Sequence, residues 1–101
     1  MPCRIYETET FSKIYGAMEK EEQGWVDKIK HQLTENPYAG KPLKFEWFRE
    51  KKFGDKRLYY LIYKDISKIL LVSFGSKKEQ QKIIDHILEN KERYRKIIMT
   101  V

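Results

Sequence analysis

Lys44 to Phe74 reads K-F-E-W-F-R-E-K-K-F-G-D-K-R-L-Y-Y-L-I-Y-K-D-I-S-K-I-L-L-V-S-F. Gly54-Asp55 is a tight-turn signal and Lys64 to Ser67 a second one. They divide the stretch into three strands, at about 44–53, 56–64 and 68–74. Short turns between consecutive strands predict an antiparallel meander. Leu70, Leu71 and Val72 in a row predict that its last strand is covered on both faces.

The same stretch concentrates charge. Arg49, Lys51, Lys52, Lys56 and Arg57 face only Glu50 and Asp55, so nine residues carry +3, half of the chain's +6. Cations held on a sheet are fixed in space, and a fixed basic face beside aromatics suits a polyanion, nucleic acid first among them.

Upstream, Cys3 to Glu7 reads as a short strand. Phe11, Ile14, Tyr15 and Met18, then Trp25, Val26, Ile29 and Leu33, fall at helical spacing on either side of Gln23-Gly24. That pattern predicts two helices, or one broken near Gly24, with an apolar stripe facing the sheet and Trp25 in the core. Asn36-Pro37 ends the helix, and Tyr38 to Pro42 reads as a connecting loop. Downstream, Ser76 and Glu79 form a capping box. It opens a helix whose apolar positions are Ile83, Ile84, Ile87 and Leu88. Asn90 to Lys96 is polar and basic, and Ile97 to Val101 an apolar tail.

The order β, α, α, β, β, β, α predicts one α+β domain over 1–101. It has a small antiparallel sheet, an N-terminal helical pair and a C-terminal helix. A single cysteine, Cys3, excludes an intrachain disulfide and a thiolate zinc site. No apolar run approaches the ~18 residues of a membrane span. The expectation is a soluble, cytoplasmic protein without membrane, metal or cofactor.

N-P-Y-A-G-K-P-L (36–43), K-R-L-Y-Y-L-I-Y (56–63) and L-L-V-S-F-G-S-K-K-E-Q-Q-K-I-I (70–84), following a helical pair, resemble the RelE/ParE toxin superfamily over nearly the whole chain. The resemblance implies a toxin of a toxin–antitoxin pair, neutralised by a small cognate antitoxin. RelE-like members cut messenger RNA on the ribosome with the RNA 2′-hydroxyl as nucleophile and no metal. ParE-like members share the fold and poison DNA gyrase. Arg57 matches the RelE-like arginine at the scissile phosphate. Arg49 and Lys51 match a pair of lysines on the preceding strand, and Lys77 matches a second phosphate-binding arginine. RelE-like ribonucleases carry a C-terminal tyrosine or histidine for proton transfer; near Ile83 this chain has neither.

Cleavage by a 2′-hydroxyl needs a base, an acid and cations on the phosphorane. Strand alternation puts Phe45, Trp47, Arg49, Lys51 and Phe53 on one face. Arg57 then completes a three-cation cluster across the turn, Lys51 is the candidate base, and Trp47 offers a stacking surface. Lys52, Lys56, Lys78 and Tyr94 are further candidates for nucleic-acid contact, although Tyr94 equally suits packing on the sheet. Tyr59 and Tyr63 fall on one strand face and Tyr60 on the other, with at least one in the core. His31 and His86 lie off the helical stripes and face solvent. Any uncovered part of the C-terminal apolar stripe is a seat for an acidic antitoxin segment, whose association would slow in high salt. A gyrase-directed toxin and a non-toxic binding module are the alternatives.

Overall fold

The computed structural model describes residues 2–101. Its elements are β1 (Arg4–Glu7), α1 (Glu9–Ala17), α2 (Lys20–Glu35), β2 (Lys41–Leu43), β3 (Phe45–Phe53), β4 (Lys56–Tyr63), β5 (Lys68–Ser76), α3 (Gln80–Glu89) and α4 (Lys91–Met99). The sheet order is β1-β5-β4-β3-β2. The predicted meander is β3-β4-β5, antiparallel throughout. The N-terminal strand adds to it in parallel, Ile5 opposite Ile69. The α1–α2 pair carries the chain from β1 at one edge to β2 at the other, and β3 and β4 lead back to β5 beside β1.

Gly54 is the first residue of the two-residue β3–β4 loop and takes φ +59°. Asp55 stays at negative φ, the II′ pattern that suits the strand twist. This short loop sets the register: Phe53 faces Lys56, Lys52 faces Arg57, and Glu50 faces Tyr59.

The sheet is covered on both faces. On one side Leu58, Tyr60, Ile62, Ile69 and Leu71 pack against Phe11 of α1 and Val26, Ile29 and Leu33 of α2. On the other, Phe48, Tyr59, Leu61, Leu70 and Val72 pack under Ile84 and Ile87 of α3 and Tyr94 and Ile98 of α4. Leu70, Leu71 and Val72 alternate between the two faces, and a register shift between Tyr59 and Tyr60 leaves Val72 opposite no β4 residue and Ser73 facing Tyr59.

Three boundaries differ from expectation. The helical break lies at Met18-Glu19, where Glu19 and Glu22 form a capping box, and α2 runs through Gly24. Lys41–Leu43 is an edge strand, where Pro42 needs no ladder donor. Residues 91–99 form a helix, not a polar segment and a tail, because Tyr94, Ile97 and Ile98 share a face that the sheet buries. Trp25 is only partly buried, tilted against Phe53 at 5.1 Å.

A candidate anionic-substrate site at Arg57

The expected cluster of Arg49, Lys51 and Arg57 does not form. Register pairs Arg49 with Tyr60 and Lys51 with Leu58, the residues of the α1–α2 face. Arg57 lies in the opposite row, beside Lys52 and Glu50. A two-residue loop pairs 52 with 57, so Arg57 cannot share a face with 49 and 51.

Arg49 is a structural residue here. Its Nε donates to the Gly40 carbonyl at 2.9 Å and its Nη1 to the Glu46 carbonyl at 2.8 Å. Its guanidinium lies 5.0 Å over the Tyr38 ring. Gly40 also donates its N–H to the Tyr60 hydroxyl, which donates to the Pro37 carbonyl. A Cβ on Gly40 would meet the Glu50 carbonyl oxygen at 2.6 Å, so only glycine fits that approach. The G-K-P-L motif therefore ties the loop to the sheet.

Other candidates are likewise placed elsewhere. Lys56 lies on the α1–α2 side, where its ammonium donates to Glu22 and holds that carboxyl below the usual range. Tyr94 packs in the second core, and burial pushes its hydroxyl pKa up. Trp47 is stacked on exposed Phe45 at 4.8 Å, five residues along β3 from Lys52, or about 17 Å at strand rise. It lines a groove of about 720 Å³ at the far end of the sheet, with Leu61, Tyr63 and Arg95. His31 and His86 are exposed, as read from the sequence.

The structure does bring together Lys52, Arg57 and the start of the β5–α3 connection. Arg57 faces Gly75 across β5, and the Lys77 N–H donates to the Asp55 carbonyl at 2.7 Å, closing the connection onto the hairpin turn. Lys77 and Lys78 are exposed there, in the turn that the Ser76–Glu79 capping box organises. The sequence reading passed over Glu50, which lies at the centre. It is 3% exposed, its Oε2 is 3.6 Å from Arg57 Nε, and its Oε1 accepts from Gln80 at 2.6 Å. Counting back across the Gly54-Asp55 loop would have found it.

Two buried polar atoms of this site have no hydrogen-bond partner, Arg57 Nε and the Tyr59 hydroxyl. Nε still has the Glu50 carboxylate at 3.6 Å as its ion-pair partner, so the Tyr59 hydroxyl is the buried polar group left without one. Burial, then the neighbouring Glu50 charge, pushes the Tyr59 hydroxyl pKa up to about 12. Tyr59 therefore stays protonated and can only be called on as a donor near neutrality. A folded-state value above the ordinary tyrosine value of 10.0 gives stability that is complete below pH 10 and is lost as pH rises towards 12. Urea unfolding at pH 8 and at pH 11 should show a loss exceeding that of Tyr59→Phe by roughly 1 kcal/mol or more.

No protein-family model matches the sequence, and no curated protein matches it. Solved structures do match. A mutant of the E. coli toxin RelE in the free state superposes with a TM-score of 0.76 at 16% identity, over 89% of this chain and 98% of that one. The toxin–antitoxin complex RelBE2 from Mycobacterium tuberculosis gives 0.66 at 20%, over 75% and 99%. The E. coli RelE mutant in complex with an antitoxin RelBc peptide gives 0.67 at 14%, over 82% and 95%. Likeness of this extent at such low identity shows the fold, and the chain has the fold of the RelE toxins.

Proposed function

We propose that this chain is the toxin of a toxin–antitoxin pair and cleaves messenger RNA on the ribosome without a metal. The observation that carries the reading is the buried Arg57 guanidinium, fixed by Nη1 donating to the Gly54 and Lys56 carbonyls and by Glu50 at 3.6 Å from Nε. Its Nη2, in no hydrogen bond among the described residues, is the donor left for a phosphate oxygen. Lys52, Lys77 and Lys78 ring it with exposed ammonium groups.

Glu50 supplies the group missing from the sequence reading. With RNA bound, a phosphate oxygen takes Nη2 of Arg57, and Gln80 leaves Glu50. The 2′-hydroxyl then gives its proton to the Glu50 carboxylate as its oxygen attacks phosphorus. The P–O5′ bond breaks, the leaving oxygen takes a proton from the lysine rim, and a 2′,3′-cyclic phosphate remains. Charge neutralisation by Arg57 and the Tyr59 hydroxyl acts on the phosphorane, where extra negative charge develops. Lys51, on the opposite face, is replaced by Glu50 as base.

The partner in the cell is a small antitoxin that covers the basic rim, as antitoxins accompany RelE-type neighbours. The test is brief induced expression followed by mapping of messenger RNA 5′ ends. Cuts within translated codons, absent from a Glu50→Gln variant that circular dichroism shows to be folded at the assay temperature, are expected. Growth arrest with DNA damage and intact RNA would overturn the reading in favour of gyrase inhibition. Harmless expression at high level would leave a binding module.

A further inference from the structure

Two adjoining hollows run away from the Arg57 site across the α3–α4 side of the molecule. One, of about 220 Å³, opens at Ser73, Glu79 and Ile83 and is flanked by Lys82. The next, of about 340 Å³, continues past Asn90 and Arg93 to Lys13 on α1. Thr10, His86 and Tyr94 line both, so the two make one groove between the start of α1 and the α3–α4 pair. Its mouth lies in the same sheet row as the site, because Ser73 faces Tyr59 and Tyr59 faces Glu50.

Three cations, Lys13, Lys82 and Arg93, and two acids, Glu9 and Glu79, line this groove. Its two acids are already engaged: Glu79 accepts from Ser76 N and Oγ, and Glu9 pairs with Lys13 at 3.5 Å on an open surface. Such an exposed pair holds weakly and yields to a better partner. Lys82 and Arg93 are in no ion pair among the described residues. Thr10, Asn90 and His86 line the same groove, the Asn90 amide donating to the His86 carbonyl at 2.8 Å. Cations together with neutral donors and acceptors suit a strand that presents both phosphates and base edges.

We propose that this groove is a second nucleic-acid subsite, holding the single-stranded RNA that flanks the phosphate at Arg57. Lys82, Arg93 and Lys13 take successive phosphates. The inference rests on the proposed RNA-directed function and adds a path for the strand. It also gives exposed His86 a place beside bases, without a role in proton transfer.

The test is fluorescence anisotropy with a 2′-O-methyl RNA of about 12 nucleotides, which cannot be cleaved and lies within the span such grooves cover. Each phosphate contact contributes a slope of about 0.7 in log K against log salt. The triple variant Lys13→Gln, Lys82→Gln, Arg93→Gln changes only exposed side chains. It should lower the slope by about 2 and weaken binding by roughly 100-fold at 0.1 M salt. An unchanged slope would overturn the subsite, as would absence of RNA binding by the unmodified chain. Displacement by poly-glutamate as readily as by RNA would reassign the groove to an acidic polypeptide and overturn it too. Cleavage of ribosome-bound messenger RNA by the same preparation reads the proposed function separately. Cleavage that survives alongside an unchanged slope removes the subsite and spares the ribonuclease.

Discussion

Arg57→Lys is expected to fold normally and to cleave ribosome-bound messenger RNA at least 100-fold more slowly, as read by primer extension on purified ribosomes. Lysine keeps a positive charge beside buried Glu50, so the variant tests geometry. What it loses is the planar fork that keeps Nη1 on the Gly54 and Lys56 carbonyls while Nη2 meets a phosphate oxygen. Removing one preorganised donor from a transition-state oxyanion typically costs 10² to 10³ in rate.

The more obvious Arg57→Ala is a poorer test. Arg57 and Glu50 are 6% and 3% exposed, so alanine leaves a carboxylate buried without its partner. Breaking a buried pair in that way costs about 3–5 kcal/mol, a large part of a total near 5–15. Lost activity in Arg57→Ala would then be indistinguishable from unfolding. Adding Glu50→Gln would remove both charges but also the proposed base, so it would not isolate Arg57. Full cleavage by Arg57→Lys would remove Arg57 from the phosphate site altogether.

Ile98→Ala is expected to cost about 2–5 kcal/mol, against a change within about 0.5 for Met99→Ala. The two residues are neighbours in α4, but Ile98 is 0% exposed and Met99 54%. Ile98 sits in the core with Phe48, Tyr59 and Leu61, and truncation there leaves a cavity that the sheet cannot close. The helix is further tied down by Arg95 on Asp65 at 2.5 Å and by Lys68 Nζ on the Ile98 carbonyl at 3.2 Å. Urea unfolding midpoints of the two variants separate these cases. Equal midpoints would mean that α4 lies outside the cooperative unit and that Tyr59 and Leu61 can be uncovered without unfolding.

Much of the architecture was legible in the chain because its signals are local. Gly54-Asp55 sets a hairpin, Ser76 with Glu79 opens a helix, and helical spacing from Phe11 to Leu33 marks the layer over one sheet face. These depend on residues a few positions apart, and tertiary contacts reinforced them. The parallel pairing of β1 with β5 was not legible, since nothing within Arg4–Glu7 encodes a partner more than sixty residues away. Residues 91–99 concealed a helix because Tyr94, Ile97 and Ile98 are interrupted by charges that only the finished sheet sorts to the outside.

The site divides along the same line. Composition placed a basic, anion-seeking surface on the β3–β4 hairpin, and Arg57 stands within it. Which neighbours Arg57 keeps was decided by register: one position along a strand exchanges one face for the other. That exchange removed Arg49 and Lys51 from the site, bound Arg49 to the Tyr38, Gly40 and Glu46 carbonyls, and put Glu50 beside Arg57. Residue types and turns are written in the chain, whereas burial, unpartnered polar atoms and shared faces exist only once β3, β4, β5 and α3 have closed around one another.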